Sequence, residues 1–326
     1  MRVRAFAKIN RSLHVLGTRA DGYHELRTTF QSIALHDTLT IRGIRGPFRL
    51  TCDDPACPVD DTNLIARAAA AMWRAAGRRG VPAGVAIDLD KRIPMQAGLG
   101  GGSSDAAAAL RALAMRWRVG AATVSEAAEA LGADVPYFLE GGAMLGLERG
   151  DLLFRLAEHA PAWVVLVIPD FGVSTKDAFA WFDERADTRV GPYNAANRHD
   201  RPRDGASDLR VGGHDRSRGE VDVRVRGNDR SRDVAADLRV RRLDEMVNDL
   251  EAPVVARHPE IGRIISALSR AGASQASMSG SGSAVFGLFS SRPAAIRAQK
   301  RLAGPARRTL VTRTIDHRTY QRLAAT

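Results

Sequence analysis

The stretch PMQAGLGGGSSDAA, from Pro94 to Ala107, decides how the rest of the chain is read. Just before it, Val85, Ile87 and Leu89 alternate with Asp88 and Asp90, the period of a half-buried strand. Just after it, helical spacing runs from Asp105 to about Val119, with Ser104 placed as N-cap and Gly120 as the stop. A glycine-rich turn between a strand and a helix offers main-chain N–H groups and the positive end of the helix dipole to an anion. Gly98, Gly100, Gly101 and Gly102 would let phosphate oxygens reach the main chain, while Ser103 and Ser104 add hydroxyls for phosphate or Mg2+. Pro94, Met95, Gln96, Ala97 and Leu99 complete this candidate phosphate loop. No GKS or GKT follows, so it is not a Walker A loop, and Ser103 stands where GxGxxG needs its third glycine. The competing reading is a flexible connector, but a linker needs no such place between strand and helix.

Upstream, Arg2–Ile9 reads as a strand, Ser12–Leu16 as a second arm, and Asp21-Gly22 as a turn. Leu39–Ile41 and Phe48–Thr51 look like short strands, and Asn63–Ala76 like an alanine-rich helix that Gly77 ends. Downstream come a helix at Val124–Leu131, an element opened by GADVPYFL, and a buried strand at Trp163–Ile168. The change of pattern before that strand divides the chain into domains 1–152 and 153–326. Helices are predicted at 175–185, 244–257 and 261–271, and ASMSGSGSAVFGLF runs from loop into strand. Residues 188–240 stand apart as a low-complexity insertion of Arg, Asp and Gly with near-copies GHDRSRG and GNDRSRD. Such a tract cannot bury enough apolar surface to offset its ordering entropy, so it is expected to be disordered.

The chain has 326 residues, 44% hydrophobic, and a formal charge of +11, so anionic partners fit it. Its arginine-rich tract is interleaved with acidic residues and almost lacks aromatics, which argues against nucleic acid. Cys52 and Cys57 are too few for a structural zinc site. No run approaches a membrane span, and MRVRAFAKIN does not read as a signal peptide, so a cytoplasmic location is the default expectation.

Two charged residues invite chemistry. Asp134 could simply cap the element starting near Val135, with Pro136 in its first turn. Lys8 sits between Phe6 and Ile9, where burial would require an anionic partner; a buried lysine facing a carboxylate is one way to activate a hydroxyl. AKIN with DGYHEL, the Pro94–Ala107 loop, LGADVPYF, SGSGSAVFGLF and NDLE (Asn248–Glu251) together resemble the GHMP kinases over nearly the whole chain outside the insertion. That family includes galactokinase and the homoserine, mevalonate and phosphomevalonate kinases. The resemblance implies a two-domain α+β fold, with an N-terminal domain of the ribosomal-protein-S5 type and a ferredoxin-like C-terminal domain. It also implies phosphorylation of a small-molecule alcohol by ATP with Mg2+, the nearest branch acting on the 2-hydroxyl of a diphosphocytidyl methylerythritol.

Carried over residue by residue, the resemblance makes Asp134 the catalytic base and Lys8 its partner. Asn10 would hold the erythritol part, Tyr23 and His24 the cytosine, and Phe179 a second stacking face. The loop from Gly98 to Ser104 would take the ATP phosphates, and Gly280, Ser281 and Gly282 would close the site. Arg11 departs from the aliphatic residue that relatives usually carry after AKIN. Rival readings are another member of the family, a diphosphomevalonate decarboxylase, which needs a cationic carboxylate site, and a nucleic-acid binder. Monomer and homodimer both fit the sequence.

Overall fold

Strands β1 (Arg2–Thr18) and β2 (His24–Pro47) form one long antiparallel hairpin, turning at Asp21-Gly22. The separate arm expected at Ser12–Leu16 is part of β1, because bulges at Phe6/Lys8, Asn10/Ser12 and Val15/Gly17 absorb the breaks in alternation. β2 likewise swallows the short strand expected at Leu39–Ile41. Its first part pairs β5 (Ala143–Glu148) and its last part pairs β4 (Ala83–Asp90), so one strand serves three neighbours. β3 (Arg49–Cys52) and β6 (Leu152–Arg155) complete a six-stranded sheet. The domain boundary expected at 152/153 therefore falls inside β6, and the chain crosses to the second sheet between Arg155 and Trp163.

The computed structural model describes residues 1–186, 209–211, 223–225 and 246–324. The disorder expected of 188–240 lies outside the described residues, apart from a short ladder of β8 (Leu209–Val211) with β9 (Val223–Val225).

Helices α1 (Leu64–Ala75), α2 (Gly101–Trp117), α3 (Ala121–Leu131) and α4 (Val135–Glu140) share one core with the first sheet. Ala106 to Ala109 of α2 are wholly buried, and their small side chains let α2 lie close against α1 and β1. The second sheet, in order β10 (Gln275–Met278), β11 (Val285–Phe289), β7 (Trp163–Pro169) and β12 (Arg307–Arg313), is antiparallel throughout. The apolar run of β7 has two destinations. Val165 and Val167 face a core with α5 (Thr175–Ala186), α6 (Glu251–Arg257), α7 (Pro259–Arg270) and α8 (Arg292–Leu302). Val164, Leu166 and Ile168 face Ala7, Ile9, Ile33 and Leu99 of the first half. Burial on both faces is why this strand shows no alternation.

Main-chain bonds tie the halves together. Leu13 N donates to Val247 O and Asp249 N to Leu13 O, both at 2.8 Å, while Ala284 N reaches Ala97 O at 3.2 Å. Ile315 N donates to Ser32 O at 3.0 Å, and α9 (His317–Ala324) lays Tyr320 against Phe6. Among the described residues no helix is long and apolar enough to cross a membrane.

Candidate active site

Lys8 lies mid-way along β1 and is only 4% exposed, so its charge must be compensated nearby. Its Nζ donates to Asn10 Oδ1 at 2.5 Å and lies 3.5 Å from Asp134 Oδ2 and 5.6 Å from the centre of the Phe30 ring. Asn10 Nδ2 donates to Thr28 Oγ1 at 2.7 Å, and the Thr28 hydroxyl passes on to Ser12 O at 2.7 Å. This relay fixes the Asn10 amide so that its oxygen faces Lys8. Asp134 stands at the head of α4 but makes no side-chain capping bond there. Its half-buried carboxylate is turned to Lys8 instead, which removes the helix-cap reading.

Two glycine loops close over this pair. Gly98 and Gly100 have φ of +71° and +70°. A Cβ on Gly100 would lie 2.6 Å from the Phe138 ring and 3.2 Å from Lys8 Cε. From the other side, a Cβ on Gly280 would lie 3.1 Å from Asn10 Oδ1 and 3.4 Å from Lys8 Nζ. Lys8 is thus packed between Gly100 and Gly280. The loops are also bonded to each other, since Ser279 Oγ donates to Gly98 O at 2.9 Å and accepts from Asn10 N at 3.2 Å.

The helix after the first loop starts earlier than its composition suggests, with Gly100 as cap and Gly101 to Ser104 already helical. Ser104 is therefore not the N-cap. It is 1% exposed, and its hydroxyl donates to Phe6 O at 2.7 Å, bolting α2 to β1. Ser103 is half-buried, and its hydroxyl has no protein partner among the described residues. A Cβ on Gly102 would meet nothing nearer than Leu64 Cδ1 at 3.9 Å. Protein packing does not require glycine there, so the bare face is available to a ligand.

Some contributors escaped the sequence reading. The second loop is clamped from α6 and the turn before it. Asn248 Nδ2 donates to Met278 O and Gly280 O, both at 2.8 Å, and Glu251 Oε2 accepts from Ser277 Oγ at 2.7 Å and Met278 N at 2.9 Å. NDLE was a visible signal, but nothing in it says what it grips. Ser281 Oγ meets Thr175 Oγ1 at 3.1 Å at the start of α5. Below the first loop, Lys91 bridges two buried carboxylates, Asp37 at 2.5 Å and Asp105 at 2.8 Å. Burial pushes the Asp105 carboxyl well above its usual range, and Lys91 pulls it back only in part. Burial would lower the Lys91 ammonium, but Asp105 and Asp37 outweigh that and raise it.

The proposed base contacts gather elsewhere, at the turn end of the β1–β2 hairpin. His24 stacks on Phe179 at 4.5 Å and 20°, and its Nε2 lies 2.9 Å from Asp183 Oδ1. Tyr23 is exposed, with Arg149 over its ring at 5.5 Å. His24 and Phe179 thus occupy one aromatic corner, with Tyr23 outside it. Arg11 turns to the seam, where its Nε donates to Gln275 Oε1 at 3.3 Å and burial lowers its pKa.

Residues 63–142 match the family model described as the GHMP kinases N terminal domain, and residues 235–306 match that of GHMP kinases C terminal. The 4-diphosphocytidyl-2-C-methyl-D-erythritol kinase of Pelotomaculum thermopropionicum is 40% identical over 317 residues, covering 96% of this chain and 98% of that one. The chain belongs to the GHMP kinases. Another GHMP relative, the enzyme of the same name from Moorella thermoacetica, is 39% identical, with 95% and 98% coverage. A crystal structure of 4-(cytidine 5'-diphospho)-2C-methyl-D-erythritol kinase, at 31% identity, superposes with a TM-score of 0.68 over 96% of this GHMP kinase and 99% of that chain.

Proposed function

We propose that this chain transfers the γ-phosphoryl group of ATP to the 2-hydroxyl of 4-diphosphocytidyl-2-C-methyl-D-erythritol. The observation that carries the reading is the buried Lys8, bonded to Asn10 and facing Asp134 where the two glycine loops meet. The name and near-full-length identity of the relatives supply the substrate.

Asp134 takes the hydroxyl proton as the substrate oxygen bonds to the γ-phosphorus and the bond to the ADP oxygen breaks. Lys8 offsets the negative charge gathered between carboxylate and phosphoryl group, a role that its burial strengthens. Asn10, held by Thr28, orients the acceptor alcohol. The N–H groups at the start of α2 and the Ser103 hydroxyl receive the ATP phosphates, and Gly102 leaves room for them. Mg2+ would come with ATP, and of the two loop serines Ser103 is the one whose hydroxyl could hold it, because that of Ser104 is taken by Phe6 O. Bound there, it would spread the negative charge of the transferring group. His24 and Phe179 form the aromatic corner for cytosine, and Tyr23, exposed at the turn beside His24, would add a contact from outside it.

The test is ADP release by the purified chain, comparing the diphosphocytidyl substrate with homoserine and mevalonate. Turnover confined to the cytidyl substrate is expected. Faster release with either of the others would overturn the assignment.

A further inference from the structure

The outer surface of the C-terminal half carries a basic cleft that no residue of either glycine loop lines. α7 places Glu260, Arg263, Ala267 and Arg270 at steps of three and four residues, hence along one face. Arg301, at the end of α8, and Arg307, opening β12, stand across from them over an apolar floor at Leu302. The cleft is half-open to solvent and holds about 390 Å³, in the range of small-ligand sites.

Four guanidinium groups here face one carboxylate. Glu260 Oε1 lies 4.0 Å from Arg307 Nε, a marginal pair, and Arg263, Arg270 and Arg301 have no carboxylate partner among the described residues. Arginine in the last turn of a helix complements the dipole, which accounts for Arg270 and Arg301. It does not account for Arg263, in the body of α7, or Arg307, on a strand. Like charges gathered around one cavity repel each other unless an anion joins them. Planar guanidinium forks match phosphate oxygens in pairs. A second hollow of about 340 Å³ shares Arg301 and adds Arg297 and Lys300, so the positive field widens on that side. No aromatic side chain lines either hollow, which leaves no platform for stacked bases and favours a compact phosphate group over a nucleic-acid strand. We propose that this cleft is a second anion site, which binds a diphosphate group independently of the phosphate loop.

Calorimetric titration of inorganic diphosphate into the full chain, presaturated with a non-hydrolysable ATP analogue, tests this. One further equivalent should bind, at least tenfold more weakly in Arg263→Gln/Arg301→Gln and unchanged in Gly102→Ala. A simple alkyl diphosphate in a parallel arm tells whether the free ion or an ester is preferred. Both substitutions are at exposed positions, and thermal melts confirm folding; if the double variant unfolds, Arg270→Gln alone should still weaken binding at least threefold. No further equivalent, or equal affinity in the folded arginine variants, overturns the site. Tighter binding of single-stranded RNA than of diphosphate, lost in the same variants, overturns it in favour of a nucleic-acid surface.

Discussion

Gly98 and Ser279 meet main chain to main chain: a Cβ on Gly98 would fall 2.0 Å from the Ser279 carbonyl oxygen. Gly98 is therefore glycine for the sake of the other half of the molecule, and not only for a phosphate. Gly98→Ala combines a left-handed backbone with a clash that no side-chain movement relieves, and should cost about 2–4 kcal/mol. Gly102→Ala should instead leave stability equal or better by about 0.5–1 kcal/mol, as alanine favours the helix, while raising the KM for ATP. Urea unfolding and ATP kinetics on the two variants separate packing glycines from ligand glycines. Equal stability loss in both would refute the distinction.

Asp134→Asn should lower kcat by about 10²–10⁴ with little change in substrate KM, because the proton is accepted only in the transition state. Asp134 makes no capping bond, but the substitution removes the carboxylate facing the buried Lys8 and leaves only Asn10 Oδ1 as its acceptor, so the melting temperature should fall by a few degrees while kcat falls by orders of magnitude. A variant keeping more than roughly a tenth of kcat would remove Asp134 from the base role.

Asn248→Ala would leave the Gly280 carbonyl and the Leu250 N–H without these partners, and the Met278 carbonyl with only the Ser277 hydroxyl at 3.4 Å. About 2–4 kcal/mol should be lost, at about 1–3 kcal/mol per orphaned group with partial relaxation. Glu251→Gln keeps an acceptor oxygen for Ser277 and Met278 and should cost about 1 kcal/mol. Denaturant melts give these values, and kcat under folding conditions should drop more for Asn248→Ala, whose loop packs on Lys8. The reverse order would mean that the carboxylate, and not the amide, sets the loop.

Lys91→Met should destabilise by about 3–5 kcal/mol, since it leaves Asp37 and Asp105 buried without a cation. Asp105→Asn should cost about 1 kcal/mol or less at neutral pH, because its amide oxygen can still accept from Lys91. The sign of its pH effect follows from the raised carboxyl. The folded chain retains a proton that the unfolded chain releases above its ordinary value of 3.8, so the native protein loses stability as pH rises from there towards its own higher value. Asp105→Asn should flatten that decline, measured as unfolding free energy from pH 4 to 7. An unchanged slope would show that Asp105 does not titrate in this window.

The strand, glycine-rich loop and helix were legible because strand alternation, a glycine run and helical spacing follow one another without interruption in Ile87–Leu110. Lys8 and Asp134 were legible through family resemblance, whereas their separation in sequence hides the 3.5 Å contact. Local pattern failed where burial comes from distant chain. Asn10, Ser12 and His14 alternate as a polar face would, yet all are buried, because the C-terminal half and the loops cover them. Ser104 read as a cap because serine before a helix usually is one, and only the Phe6 carbonyl above it reveals the other use. The Lys91 bridge joins Asp37 of β2, Lys91 just after β4 and Asp105 of α2, which no local pattern connects.

The bonds of Leu13 to Val247 and Asp249, of Asn10 to Ser279 and of Ser32 to Ile315 run along one edge shared by both halves. Opening the halves like a jaw would part these bonds together, at about 0.5–1.5 kcal/mol net each, so the joined arrangement is favoured. If cytosine binds at the proposed corner, passage of substrate and product would need only small local excursions, of the hairpin turn at Tyr23 and of side chains around Phe179. Those motions belong to the nanosecond-to-microsecond range of loops, not the slower range of hinged lobes.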